Sequence, residues 1–314
     1  MTPAVATIRA GRRQVQVPRP DKPLFPCGIT KADLARYYEG VAEAMLPHLR
    51  HRPLNLERYP DGIEGERIVQ QRVGRHFPPW IGRTKVAKED GGAVEHVVAA
   101  DAATLVYLAG QACITLHAWA SRADRPERPD RMIIDLDPSG HDASQVRRAA
   151  LVIGGVLREL GLEPWALSTG SSGFHLVCPL RRRAGFDRVR ELARGVAALA
   201  ASREPRLFTI EQRRARRRGR ILIDVMRNTY AHSAVVPYAV RARPHAPVAT
   251  PLHWEELSDR ATRPDRFTLA TVGRRLERDG DPWREIARHA CALATAERRL
   301  GPALEEAGGP PPTG

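Results

Sequence analysis

Apolar residues along this chain recur at a helical period in some stretches and at a strand-like period in others, which sets out a mixed series of elements. After the proline-punctuated VPRPDKPLFPCG, residues Leu34, Tyr38, Val41, Met45 and Leu46 fall at helical spacing behind Thr30, a residue suited to cap a helix. RPLNLERYPDGIEGERIVQQRV reads as strand, Pro-Asp-Gly turn and strand, and AVEHVVAA as a further strand. DAATLVYLAGQACITLHAW supplies a helix and then a strand, before SRADRPERPD crosses into the second half. There RMIIDLDPSG is a short apolar strand broken at a turn, and ASQVRRAALVIGGVLRELG is a helix stopped at Gly161. PWALSTG and SSGFHLVCPL are extended, FDRVRELARGVAALAAS is helical, and ILIDVMRN is a strand. YAHSAVVPYAVRARPHAPVATPL is extended with prolines, and from HWEEL onward the pattern is helical, with Phe267, Leu276 and Ile286 facing inward.

These elements predict an α+β (mixed α/β) chain. Its expected divisions are a flexible lead-in over 1–16, a folded body over 17–303 and a disordered tail over 304–314. Within the body, a polar boundary near residue 130 separates an N-terminal module, about 17–130, from a second module, about 131–303.

Charge changes the picture more than length does. Of 314 residues, 50 are Lys or Arg and 36 Asp or Glu, a net charge of +14 that favours phosphate-bearing partners over a neutral metabolite. Only Lys22, Lys31, Lys85 and Lys88 are lysines; the other 46 basic residues are arginines, and 14 of them lie in residues 181–220, where they read mainly as a diffuse field on exposed faces. The cysteines Cys27, Cys113, Cys178 and Cys291 are too far apart for a CxxC metal site and read as reduced thiols. With no secretory apolar core and no run of about 18 apolar residues, the expectation is a soluble cytoplasmic protein with no membrane partner.

The candidate chemistry begins at Asp135 and Asp137, at the end of an apolar strand. Residues i and i+2 of a strand share a face, so two carboxylates stand together, as hard divalent cations require. A turn capped by Asp137 is the competing reading of that pair alone. Asp224 ends a second apolar strand, and three carboxylates on two strand ends make a two-metal site conceivable. Between them lies Ser168-Thr169-Gly170-Ser171-Ser172-Gly173-Phe174-His175, a Gly/Ser turn whose amides, hydroxyls and histidine could cradle a triphosphate, although it lacks the Gly-Lys-Ser/Thr of a Walker A loop. Arg227 follows Asp224 closely, and Arg241 and Arg243, again i and i+2, are expected to point to one face and grip phosphate.

Taken in order, DLDP, TGSSGFHLVCPL, and IDVMRN with PYAVRARP resemble the three-motif signature of the archaeo-eukaryotic primase superfamily, and specifically the polymerase domain of bacterial DNA ligase D. PDKPLFPCGITKADL, HFPPWI, DAATLVYLAGQ and LHAWASRADRPERPDR extend the likeness over nearly the whole chain. The resemblance implies a primase-type fold, with a catalytic sheet flanked by helices and a smaller N-terminal αβ module. It implies a bacterial, nucleoid-associated primase-polymerase that extends a primer strand at DNA gaps or breaks during non-homologous end joining, often favouring ribonucleotides. Asp135, Asp137 and Asp224 would hold two Mn²⁺ or Mg²⁺ ions. Thr169, Ser171, His175, Arg227, Arg241, Arg243 and His117 would bind the incoming NTP or dNTP, and Lys22 and Lys31 the DNA 5′-phosphate.

The chain also departs from that family. Ser172 stands where a basic residue is usual, and Ile68 and Val69 stand where two phenylalanines often stack on a base, with Gln71 in place of a nearby basic residue. Stacking on an aromatic is worth about 1–3 kcal/mol per base, so weaker or differently built end engagement is expected. No length remains for ligase or phosphoesterase domains, so the expectation is either a stand-alone polymerase domain using a ligase, and a Ku-type end-binding protein, in trans, or an excised piece of a longer protein. Two other readings stay open: a catalytically weak DNA-end-binding module, and a de novo primase.

Overall fold

Residues 5–18 form a hairpin where a flexible lead-in was expected. Strand β1 (Val5–Ala10) pairs antiparallel with β2 (Arg13–Pro18), from Val5 opposite Pro18 to Ala10 opposite Arg13. Gly11, at a φ of 59°, makes the tight turn that the pairing needs, and Val15 and Val17 are buried. Arg9, opposite Gln14, lies on the exposed face, and Arg13, opposite Ala10 at the end of the hairpin, is itself exposed. The structure, a computed structural model, describes residues 4–88, 90–140 and 142–308.

From the hairpin the chain runs through α1 (Lys31–Gly40), α2 (Ala42–Leu49), β3 (Leu54–Arg58), β4 (Ile68–Gln70), β5 (Gly82–Ala87), β6 (Ala93–Val98), α3 (Ala102–Gly110) and β7 (Cys113–Trp119). Next come β8 (Ser121–Arg122), β9 (Arg125–Pro129), β10 (Arg131–Asp137), α4 (Ala143–Glu159), β11 (Trp165–Ser168), β12 (Phe174–Pro179), α5 (Phe186–Arg203), β13 (Phe208–Thr209) and β14 (Ile221–Asp224). The last elements are β15 (Ser233–Val235), β16 (Thr250–Leu252), α6 (Leu269–Asp279) and α7 (Ala294–Glu306). The tail is therefore helical at its start, and residues 309–314 lie outside the described residues.

The chain folds as two compact units, and their boundaries differ from the single division expected near residue 130. The first comprises the chain to Asp124 together with Ser233–Thr250 and Phe267–Asp281; the second comprises Arg125–His232, Pro251–Arg266 and the chain from Pro282 onward. The proline-rich segment after β14 returns to the first unit, which a linear change in composition does not reveal.

In the first unit the strand order is β15-β7-β3-β6-β5, with β4 on β3. Thr30 caps α1 as its spacing predicts: its hydroxyl accepts from Asp33 N at 3.2 Å, and Asp33 Oδ2 accepts from Thr30 N at 2.9 Å. In the second unit the order is β13-β14-β10-β12-β11, with β16 at the outer edge. Met132, Ile134 and Leu136 of β10 are fully buried on one face, so by alternation Asp135 and Asp137 project to the other. Helices α4 and α5 pack on this sheet through small and branched side chains such as Ala149, Ile153, Leu192 and Val196.

Candidate active site

Strand register builds the acidic cluster. On β10, Asp135 lies directly opposite Asp224 of β14 on one side and His175 of β12 on the other, so three functional side chains form a row across adjacent strands. Asp137 stands two residues further along the same face, and one carboxylate oxygen from each of Asp135, Asp137 and Asp224 lies within 4.8 Å of the others. An all-oxygen cluster of this span suits Mg²⁺ or Mn²⁺ better than a softer metal.

The charges around the cluster are uneven. His175 Nε2 and Arg227 Nε each lie 3.3 Å from Asp135 Oδ2. Burial works to raise the Asp135 carboxyl, but the His175 and Arg227 groups outweigh it and hold the pKa below the usual carboxylate range. Asp137 moves the other way: burial first, then the negative charges of Asp135 and Asp224, raise its pKa against the pull of Arg227 and Arg217. A second cation beside Asp137 would relieve that repulsion, so the donor set fits divalent metal.

A residue outside the sequence reading sets this geometry. Asn228, 1% exposed, accepts from Ile133 N at 2.8 Å and donates to Ile133 O at 2.7 Å and to Val225 O at 2.9 Å. Its side-chain amide thus stands in for a strand partner where β14 has ended, and it pins the turn after Asp224 to β10. Asp224 Oδ1 accepts from Met226 N at 2.8 Å within that turn. The sequence signal was an asparagine soon after a strand end, which by itself reads as ordinary turn chemistry.

The Gly/Ser turn lies between β11 and β12, as expected. Thr169 donates from its hydroxyl to Gly173 O at 2.8 Å, and its amide donates to the same oxygen at 3.1 Å, so both groups close the turn. Gly170 turns at a φ of 63° and its amide donates to Pro264 O at 2.8 Å. Ser171 is half-buried and Ser172 exposed, and a Cβ on Gly173 would collide with the Leu136 carbonyl oxygen. The turn therefore presents Ser171 and Ser172 outward, and its close contact with β10 demands glycine.

The remaining site residues belong to the first unit. His117 on β7 faces Asn55 of β3 and Val235 of β15, with Nε2 3.3 Å from Glu57 Oε1. Burial works to raise the Glu57 carboxyl, but His117, Arg67 and Arg241 together lower it. Arg241 and Arg243 do not sit on a strand as expected: Arg243 N donates to Arg241 O and Ala246 N to Arg243 O, a turn to which strand alternation does not apply. Lys22 and Lys31 are brought side by side by the Pro23–Thr30 bridge and by Lys31 N donating to Lys22 O at 2.9 Å. Lys22 Nζ donates to Asp61 at 2.6 Å, and the buried Lys31 Nζ to Pro18 O at 3.0 Å. Burial first, then the charges of Arg19, Lys22 and Arg58, lowers the Lys31 ammonium to about 8. Ile68 and Val69 are exposed on β4, at 36% and 54%.

A sheet that sets three carboxylates on two neighbouring strands, next to a Gly/Ser turn and the Arg227 guanidinium, has the donor set of a metal-assisted phosphoryl-transfer site. A family model described as the LigD primase-polymerase domain matches residues 30–283. The multifunctional non-homologous end joining DNA repair protein LigD of Mycobacterium tuberculosis is 32% identical over 283 residues, covering 87% of this chain and 37% of that protein. The corresponding protein of Pseudomonas aeruginosa is 32% identical over 295 residues, covering 93% of this chain and 35% of its own length. The chain thus spans about a third of these relatives. The solved polymerase domain from Mycobacterium tuberculosis Ligase D in complex with DNA superposes with a TM-score of 0.82 at 30% identity, covering 89% of this chain and 99% of that one. The chain belongs to the LigD primase-polymerase domain family, with that family's mixed α/β fold. Among the described residues no helix is long and apolar enough to cross a membrane.

Proposed function

We propose that this protein extends a primer strand at gaps or ends in DNA by nucleotidyl transfer, in repair of the non-homologous end-joining type. The observation that carries the reading is the cross-strand register that gathers Asp135, Asp137 and Asp224 on one face of the sheet. These three would hold two Mn²⁺ or Mg²⁺ ions, which when bound supply activation of the primer 3′-hydroxyl and neutralisation of the triphosphate. The chain's own contribution is positioning and charge. His175 and Arg227 keep Asp135 ionised and oriented, and both lie within reach of a phosphate brought to the carboxylates. Ser171 and the amides of its turn, with Arg241, Arg243 and His117, are assigned to the nucleotide. Thr169 then acts by shaping the turn, since its hydroxyl is committed to Gly173 O.

Lys22 and Lys31, gathered with Arg19 and Arg58, are assigned to the 5′-phosphate at the far side of a gap. Exposed Ile68 and Val69 offer an apolar rather than a stacking contact to the DNA end. Extension leaves a nick, so the reaction sequence calls for a ligase, and a Ku-type end-binding protein is the complementary partner.

Addition of labelled nucleotides to a primer on gapped DNA with Mn²⁺, rNTPs and dNTPs side by side, tests this reading. Primer-dependent extension is the expected result. DNA binding without addition would indicate an end-binding module, and product formed without a primer would indicate a primase.

A further inference from the structure

The turn that carries Arg241 and Arg243 is strained at both ends. Tyr238 has a φ of 67°, His245 of 66° and Ala246 of 47°. Left-handed values of this kind cost a residue other than glycine about 1–2 kcal/mol, and persist where the surroundings over-determine them. At Tyr238 the surroundings do so from three sides. Its amide donates to Ala249 O at 2.6 Å, its carbonyl accepts from the Tyr37 hydroxyl at 2.9 Å, and its own hydroxyl donates to Asp281 Oδ1 at 2.6 Å. Asp281 is held in turn, with Oδ2 2.8 Å from His48 Nε2.

The next residue of the helix repeats the contact. Tyr38 Oη accepts from Val240 N at 3.2 Å and donates to Ile114 O of β7 at 2.6 Å. Two consecutive buried tyrosines of α1 therefore grip the backbone at Tyr238 and at Val240, immediately before Arg241. Both phenols are protonated donors at neutral pH, and burial raises them further above their ordinary range. The same helix begins at Lys31, and an α-helix rises about 1.5 Å per residue, so Lys31 and the tyrosine pair lie about 10 Å apart on one rigid element.

We propose that Tyr37 and Tyr38 are positioning residues that hold the Tyr238–Ala246 turn in its strained form, so that Arg241 meets the triphosphate already set and is tied mechanically to the helix bearing Lys31. The proposal rests on the assignment of Arg241 to the triphosphate. A turn released from the tyrosines relaxes, and Arg241 must then be ordered at each binding event; nucleotide affinity falls while the chemistry of a bound nucleotide is preserved.

The test is a double-mutant cycle on the full chain with Mn²⁺, reading affinity for a nucleoside triphosphate whose α,β-linkage cannot be cleaved, together with KM and kcat on gapped DNA. The variant carrying Tyr37→Phe and Tyr38→Phe is expected to bind about tenfold more weakly, with KM rising in step and kcat within about twofold of the parent. Arg241→Ala is expected to weaken binding at least as much, and the two tyrosine changes to add less than about twofold in the Arg241→Ala background, because the tyrosines act through that arginine. Multiplicative losses would overturn the proposal, as would parental affinity in the tyrosine variant beside a weakened Arg241→Ala. Unchanged affinity in Arg241→Ala would overturn the assignment of that arginine and the proposal together. If the double variant does not fold, Tyr38→Phe alone and Asp281→Asn carry the same prediction, with KM raised about threefold and kcat kept.

Discussion

At the scale of single residues, Lys31 is the most telling side chain. A solvated lysine in the first turn of a helix is ordinary; this one is buried, donates to a backbone carbonyl and lies among Arg19, Lys22 and Arg58, which with burial lower its pKa to about 8. A lysine with a lowered pKa is charged below that value and neutral above it. Preference for gapped DNA with a 5′-phosphate over the same DNA without it is therefore expected to be large near pH 7 and to shrink as pH rises through about 8. Lys31→Ala is expected to cost about tenfold, near 1.4 kcal/mol, on phosphorylated DNA only, and to flatten the pH dependence. Fluorescence anisotropy with both substrates across pH 6.5–9.5 measures this. Equal losses on the two DNAs, or a preference that does not change with pH, would remove Lys31 from the phosphate site. The residues themselves were legible as motifs, but their surroundings were not. Sequence marked Lys31 and Asp135, whereas the charges that lower Asp135 and raise Asp137 come from distant positions, Arg227 and Asp224 among them.

At the scale of elements, local pattern carried far where burial is periodic. The apolar runs of β10 and β14 and the capped α1 stand where spacing places them. Pattern failed where an element is mostly exposed or where a partner is distant: β1 and β2 are exposed along most of their length, β5 is an edge strand, and the 241–243 segment bends instead of extending. What aligns the acids is register, and two residues defend it. Asn228→Ala would leave Ile133 N and O buried without partners and is expected to destabilise the fold by about 2–4 kcal/mol, lowering Tm and nucleotide addition together. Gly173→Ala would drive the turn off β10, at about 1–3 kcal/mol, with a greater loss of activity than of stability because β12 carries His175. Thermal unfolding measured beside extension rates checks both. An Asn228→Ala protein with parental Tm would contradict the role given to its amide.

At the scale of the whole molecule, the net charge of +14 pointed to nucleic acid but to no particular atom. The ordered motifs narrowed it to a family; Arg227, paired with buried Asp135, and Arg241 are the arginines proposed to meet the nucleotide, whereas others, such as Arg188 with Glu297, pair with acids on the surface. The two-unit organisation was the least legible feature, since the segments 233–250 and 267–281 join the first unit through contacts made far from their own position in sequence. The central claim is that nucleotidyl transfer occurs at the three carboxylates. Its most direct test is single-turnover addition of one nucleotide to gapped DNA with Mn²⁺ by the parent chain and by Asp137→Asn. That substitution keeps the shape of the side chain and removes the charge that burial, Asp135 and Asp224 disfavour, so the variant is expected to fold at least as stably and to bind DNA as the parent does. Addition by the parent and loss of about a thousandfold or more in the variant are expected; addition by Asp137→Asn at a rate near that of the parent would place the chemistry elsewhere.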